Sequence, residues 1–295
     1  MSVAWIPLTS ARVFWVSGKD ARRYLHSRLS NDIKALSVGA STLAGALSAQ
    51  GRVEGFFSVS CLADDRFLML ADGGDAAQLR ATIAKFIVAD RVVVEELVPA
   101  ACVIHISADS IKVGGIPVPE SDIICEIPRR RVAQSGVDIV IPDAARLRVS
   151  TLCQEHFGAP LSDAEYYHLR WEQCVPVFPD ELNDQVILTE CGMREAVSFS
   201  KGCYVGQEVL ERSDAIGKLP RALERVVFQG TDPLEQGSAV SDAQGASIGK
   251  IVSSMKSPSS GQIYAFALLR SGTYSAGDRV TCADAVGEVI PRQRG

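Results

Sequence analysis

The sequence predicts an α+β protein of two or three packed domains that closes in a small β-rich unit. Three observations carry this. The first half strings short strand-like runs and amphipathic helices together in the order of a ferredoxin-like α+β unit. From about Arg221 onward the runs are short and β-rich, and Gly, Ser, Pro and Asp separate them, as in a small barrel or sandwich. With 295 residues, 47% hydrophobic and 22% charged, the chain has an ordinary globular composition and length for more than one core.

Taken in order, Arg12 to Ser17 alternates as a strand, and Gly18 ends it. Asp20 to Leu29 reads as an amphipathic helix closed by Ser30-Asn31-Asp32, with His26 expected as a half-exposed helix histidine. Thr42 to Ala49 and Arg52 to Ser60 flank Gln50-Gly51 as a hairpin, and Arg66 to Leu70 follows as a strand. Gly73-Gly74-Asp75 caps a helix from Ala76 to Val88, with Leu79, Ile83, Phe86 and Ile87 on one side. Arg91 to Glu96 and Ala101 to Ile106 return as strands. Irregular structure is expected from Ser107 to Arg131, with Arg129-Arg130-Arg131 as a solvated turn. Val137 to Ile141 is a strand, and Pro142-Asp143 starts a helix to about Phe157. Ser162 and Glu165 form a capping-box pattern that opens a helix through Trp171. Phe178 to Thr189 reads as a polar connection. Gly217-Lys218-Leu219-Pro220-Arg221 breaks a later helix, and strands are expected at 223–228, 247–254, 262–269 and 278–282.

One segment stands out, Ala196 to Arg212. A strand-like run, Ala196 to Phe199, leads into Lys201-Gly202-Cys203-Tyr204-Val205-Gly206, and Gln207 to Arg212 reads as a helix start. Gly202 and Gly206 permit unusual backbone angles or close approach of a ligand. Cys203 falls just before a helix N-terminus with Lys201 two residues away, and both features favour a thiolate.

The octapeptide Lys201 to Glu208 resembles the signature of the YgfZ family, folate-binding proteins that support assembly or repair of iron–sulfur clusters and are related to the glycine cleavage T-protein. Arg170-Trp171-Glu172-Gln173-Cys174-Val175-Pro176 is similar to that superfamily's Arg-x-Glu-x-Gly-x-Pro stretch, with Cys174 at the Gly position. The resemblance implies a three-domain T-protein-like cloverleaf with ferredoxin-like α/β units, a C-terminal small β-barrel and folate in a central channel. On this pattern, residues 1–48 plus 145–218 form the central folate-binding domain, 49–144 a ferredoxin-like domain and 219–295 the barrel. Gly249 to Ser254 with Ser257-Pro258 resembles that barrel, and Glu190 loosely matches a Pro-x-Glu position.

The resemblance implies Cys203 as a reactive thiol with Lys201 as its catalytic partner. It implies Glu172, Tyr204, Gly206, Gln207 and Glu208 as contacts of tetrahydrofolate or a one-carbon derivative. A carboxylate at Glu172 can accept two N–H bonds from one edge of a pterin. The T-protein's acidic pair is replaced by Glu54-Gly55, which disfavours aminomethyl transfer. The expected partners are iron–sulfur client proteins or assembly machinery, clients of tRNA thiolation among them. An aminomethyltransferase-like enzyme and a folate-binding scaffold without chemistry are the alternatives.

Composition bounds the rest. A formal net charge of −5 argues against a broad nucleic-acid surface. No apolar run approaches the ~20 residues of a membrane span, and the start lacks signal-peptide character, so a cytoplasmic location is expected. None of the eight cysteines forms a C-x-x-C pair, so no metal site is expected and the thiols read as reduced.

Overall fold

The computed structural model describes residues 3–97, 101–107, 118–132, 135–217, 219–257 and 260–290. The first unit is a five-stranded antiparallel sheet. Its elements are β2 (Arg12–Ser17), α1 (Ala21–Arg28), β3 (Ser41–Leu47), β4 (Val53–Ala63), β5 (Arg66–Ala71), α2 (Ala76–Ala84) and β6 (Val93–Glu96). The strand order is β3-β4-β5-β2-β6. Without β3 this is a β-α-β-β-α-β arrangement, the ferredoxin-like unit. One face of the sheet closes over Leu25 of α1, Leu29 just past its end, and Leu79 and Ile83 of α2.

The second unit is a four-stranded sheet of order β1-β7-β9-β8. It comprises β1 (Ala4–Pro7), β7 (Ala101–Ser107), β8 (Cys125–Pro128) and β9 (Gly136–Pro142), with α3 (Arg146–Phe157) packed on it. The two sheets meet face to face, Val13, Leu68 and Leu70 against Val103, Ile127 and Val140. Strands buried on both faces read as continuous apolar runs, and β5 (Arg-Phe-Leu-Met-Leu-Ala) does so.

The third unit is a closed six-stranded barrel, β10-β13-β12-β11-β14-β15. Its strands are β10 (Arg221–Gln229), β11 (Ala239–Ser241), β12 (Ser247–Lys256), β13 (Ile263–Arg270), β14 (Arg279–Cys282) and β15 (Ala285–Ile290). Inward residues such as Val226, Phe228, Ala265 and Ala267 fill it. Outward Leu223, Phe266 and Leu268 pack against α4 (Asp163–Glu172) and α5 (Gln207–Ile216) in a core shared with Leu47, Val53 and Phe56 of the first unit. The Ser162 cap and the Glu165 side chain close the predicted capping box at the start of α4.

Several expectations are corrected. The ferredoxin-like unit spans residues 12–96 and not 49–144. A division at 48/49 would cut the β3–β4 hairpin, whose strands pair from Ser41↔Ser60 to Leu47↔Val53, while β7 and β9 belong to the sheet of β1. Helix α2 stops at Ala84, short of Val88, because Phe86 and Val88 face outward and the chain turns towards β6. The helix expected from Asp143 opens as a 3-10 turn, Asp143–Ala145. Ala196 to Phe199 is not a strand. A 3-10 turn, Arg194–Ala196, leads into backbone tied to Ser30, whose hydroxyl donates to the Ala196 carbonyl and whose carbonyl accepts from Ser198 N–H.

Phe178 to Thr189 is not a polar connection either. It buries Leu182, Val186, Ile187, Leu188 and Glu181 in the shared core. Arg129 and Arg131 are buried rather than solvated, and His26 is also buried, its Nδ1 3.1 Å from Asp32 Oδ1. β1, β8, β11 and β15 have no counterpart among the expected strands. Of the stretches read as irregular, 108–117 lies outside the described residues, as do Lys218 and Pro258.

Candidate functional site

The segment from Lys201 to Glu208 is tied down from both ends. The Lys201 ammonium is buried and donates to the backbone carbonyls of His26, Leu29 and Asn31, which leave the C-terminal end of α1. Helix C-termini leave carbonyls without intrahelical partners, and a cation there meets both the hydrogen bonds and the helix dipole. Burial pulls the Lys201 pKa down to about 8, with Asp32 opposing and Lys34 adding to the fall. At the other end Gly206 is the N-cap of α5 with φ 83°. A Cβ on Gly206 would stand 2.6 Å from the Ser48 carbonyl oxygen, and one on Gly51 2.9 Å from Val209 Cβ. The two glycines therefore let the loop lie directly on the β3–β4 turn.

Between these anchors Cys203 is exposed. Lys201 is not its proton partner, because all three ammonium donors reach carbonyl oxygens. Tyr204 is buried with its ring 4.7 Å from the Lys201 ammonium, and its hydroxyl has no hydrogen-bond partner among the described residues. Burial, with Glu211 adding, pushes the Tyr204 pKa up to about 12. Gln207 bridges the loop internally, accepting from Tyr204 N–H at 3.2 Å and donating to Glu211 at 2.6 Å. Glu208 is exposed and pairs with Arg212 at 2.9 Å. A Cβ at Gly202 would meet nothing within 4 Å, so packing does not demand a glycine there.

Glu172 ends α4, half-exposed, with its carboxylate 3.5 Å from His168 Nε2. Cys174 has φ 54°, a left-handed conformation that glycine adopts most readily. The turn expected from a glycine is kept with a cysteine in it.

Two chambers open beside this framework. The inner one, about 450 Å³, lies where the first sheet, the Thr9-Ser10 turn, α4 and the barrel meet, and Asp72, Arg131, Tyr166, Arg170, Phe178 and Asp180 line it. The outer one, about 720 Å³, lies between α2, the start of β4 and Phe178 to Asp184. Gly74, Phe178 and Pro179 border both. Glu172 lines neither chamber, and neither does any residue of the Lys201–Glu208 loop.

Charge on the inner chamber is fixed by a buried network. Arg131 makes a two-pronged pair with Asp138 (2.8 and 2.7 Å), meets Asp72 at 2.7 Å and donates to Tyr166 at 3.2 Å. Arg129 joins Asp72 to Ser58 across the two sheets. Burial alone would raise the Asp72 and Asp138 pKa values, but the guanidinium groups outweigh it and hold both carboxyls below the usual range. Arg170 grips Glu181 through both terminal nitrogens, 2.7 and 3.3 Å. At Asp180, partial desolvation with Glu181 and Asp72 nearby outweighs the opposing pull of Arg170 and raises the pKa.

In the outer chamber both Glu54 oxygens are engaged, by Arg28 at 3.1 Å and Lys85 at 2.9 Å. No group of three or more His, Cys, Asp and Glu side chains suited to a metal ion occurs among the described residues. Nor is any described helix long and apolar enough to cross a membrane.

The sequence reading missed Asp72, Arg131, Phe178 and Asp180. Their local signals, an acid after a strand and a Phe-Pro-Asp run, are common in loops. Only the fold brings them to one cavity.

The fold is aminomethyltransferase-like. The structure superposes on the glycine cleavage system aminomethyltransferase T from Bartonella henselae with a TM-score of 0.79 over 99% of this chain and 86% of that one, at 17% identity. The GCVT N-terminal domain family matches residues 1–108. Within that fold the chain is similar to proteins of the YgfZ and IBA57 type. It is 27% identical to the mitochondrial iron-sulfur cluster assembly factor IBA57 homolog of Neurospora crassa, over 77% of this chain and 54% of that protein. It is 30% identical to the human mitochondrial iron-sulfur cluster assembly factor IBA57, over 41% of this chain and 38% of that one. An aminomethyltransferase of Herpetosiphon aurantiacus is 22% identical over 90% of this chain and 78% of its own length.

Proposed function

We propose that the chain binds tetrahydrofolate, or a one-carbon derivative of it, and supports assembly or repair of iron–sulfur clusters in client enzymes, with Cys203 as the reactive thiol. Cytoplasmic clients, including tRNA-modifying enzymes, fit this role. One observation carries the reading: an exposed thiol on a loop clamped rigidly by Lys201 and by the Gly206–Gly51 contact. A reactive group needs such a support to hold its position. Glu172 and the Tyr204–Glu208 turn remain candidate folate contacts by the family pattern. In the structure, however, Gln207 and Glu208 have partners inside their own element.

The engagement of Glu54 disfavours the aminomethyltransferase alternative. That reaction needs a carboxylate available to an amine, and both Glu54 oxygens already face cations. The test is complementation. In a strain lacking this protein, the wild-type chain restores iron–sulfur enzyme activity, and Cys203→Ala fails to restore it while still binding tetrahydrofolate under anaerobic calorimetry. Full rescue by Cys203→Ala would reduce the chain to a binding scaffold. Methylenetetrahydrofolate formation from a glycine-derived amine would restore the transferase reading.

A further inference from the structure

A cluster of cations lies outside both chambers, where the β3–β4 turn, the 183–190 segment and the barrel meet. Arg221 holds the buried Glu190 carboxylate through two nitrogens, each at 3.0 Å, and Arg52 lies 3.6 Å from it. The Gln185 backbone carbonyl also accepts from Arg52 at 2.9 Å and from Arg221 at 3.1 Å, and the Lys250 ammonium takes the Gln185 side-chain oxygen. A fourth cation, Arg270, stands directly opposite Arg221 in the β10–β13 ladder. Opposite residues of an antiparallel pair share a face, and like charges set there are destabilising. Lys250 pairs with Leu268, two residues before Arg270, and so belongs to the same outer face of the barrel.

Internal pairing uses only part of this charge. Glu190 is the one carboxylate engaged by the four cations, in a chain whose formal net charge is −5. Arg270 is exposed and makes no ion pair among the described residues. The exposed acids Asp184 and Glu235, on the segments that border the cluster, pair with none of the four. A cleft of about 230 Å³ opens beside Gln185 and Lys250, with Val252 and Leu268 in its lining. The cluster also adjoins the Cys203 loop. Arg52 follows Gly51, on which a Cβ would lie 3.5 Å from the Gly206 carbonyl oxygen.

We infer that this face docks an acidic segment of a partner protein, its carboxylates meeting Arg270, Lys250 and the exposed edges of Arg52 and Arg221. Guanidinium groups take carboxylates in two-pronged pairs, and the cleft beside Lys250 receives an apolar side chain of the same segment. A protein segment fits better than RNA. The cluster holds no aromatic ring on which a base could stack, and a chain of net charge −5 repels a long run of phosphates. Placing a client of the Cys203 loop here rests on the client reading, whereas the surface itself does not.

Fluorescence anisotropy of a fluorescein-labelled octaglutamate peptide tests this on the full chain, beside a labelled octauridylate. Wild type binds octaglutamate, and added salt weakens the complex. Arg270→Glu and Lys250→Glu each weaken it by about tenfold or more, while the same charge change at the exposed Lys19, between β2 and α1, alters it by less than about threefold. The denaturation midpoint of Arg270→Glu is unchanged or higher, because a carboxylate then faces Arg221, so its weaker binding is not unfolding. In the complementation strain the double variant of Lys250→Glu and Arg270→Glu fails to restore iron–sulfur enzyme activity. Full rescue by that variant, or equal loss of peptide binding at Lys19 and Arg270, would overturn the docking. So would tighter binding of octauridylate than of octaglutamate, or a pentaglutamyl tetrahydrofolate whose advantage over tetrahydrofolate disappears in Arg270→Glu, which would give the face to a ligand tail. If octaglutamate binding depends on Arg270 and Lys250 but the wild-type chain restores no iron–sulfur enzyme activity, the surface stands and the client reading falls.

Discussion

Lys201 shows how one side chain can be legible in kind and misleading in role. Its neighbours in sequence suggest an activator of Cys203, yet its ammonium caps α1 from a distant part of the chain. Lys201→Met leaves three carbonyls short of a donor and is expected to cost about 3 kcal/mol of stability, read by chemical denaturation. Its pH dependence has a defined sign. The folded pKa of about 8 lies below the unfolded value of 10.5. Between those values the unfolded chain binds more protons, so wild-type stability rises with pH relative to Lys201→Met. A flat difference over that range would mean that the ammonium is not desolvated. Cys203→Ala, by contrast, removes an exposed side chain and should change stability by less than about 0.5 kcal/mol.

Among the elements, α4 and the Cys203 loop depend on different kinds of support. Helix α4 has its start written locally, in Ser162 and Glu165, and the structure forms that box as the spacing demands. Ser162→Ala is expected to cost about 1 kcal/mol, measured as a lower denaturation midpoint. The loop depends on a neighbour. Gly206→Ala drives a methyl into the Ser48 carbonyl, which is backbone and cannot swing aside. A loss of about 2 kcal/mol or more is expected, along with loss of client rescue if the loop positions Cys203. Unchanged stability in that variant would show that the loop does not rest on the β3–β4 turn in solution.

Across the whole molecule, the buried charges hold the two sheets together. Arg131 joins Asp138 of one sheet to Asp72 of the other, and Arg129 adds Ser58. Arg131→Ala leaves two buried carboxylates uncompensated and should cost about 3–5 kcal/mol. Both carboxyls have folded pKa values below the ordinary 3.8. Their contribution is complete above about pH 4 and is lost as pH falls through the folded values, so acid unfolding should begin at higher pH in Asp72→Asn than in wild type. Asp72 and Arg131 also line the inner chamber, so part of the charge that joins the sheets faces that cavity.

By itself the sequence determined the local elements and the class. The α1 helix, the Gln50-Gly51 hairpin, the α4 cap, four of the six barrel strands and the octapeptide all follow from periodicity, capping or a fixed motif, which act over a few residues. Tertiary structure alone decided where the ferredoxin-like unit begins, since strand pairing between Arg12 and Glu96 is non-local. It alone buried Arg131 and Lys201, whose partners come from other elements, and gathered Asp72, Phe178 and Asp180 around one space. A charged side chain looks the same in sequence whether it faces water or a buried partner, and only the fold supplies that partner.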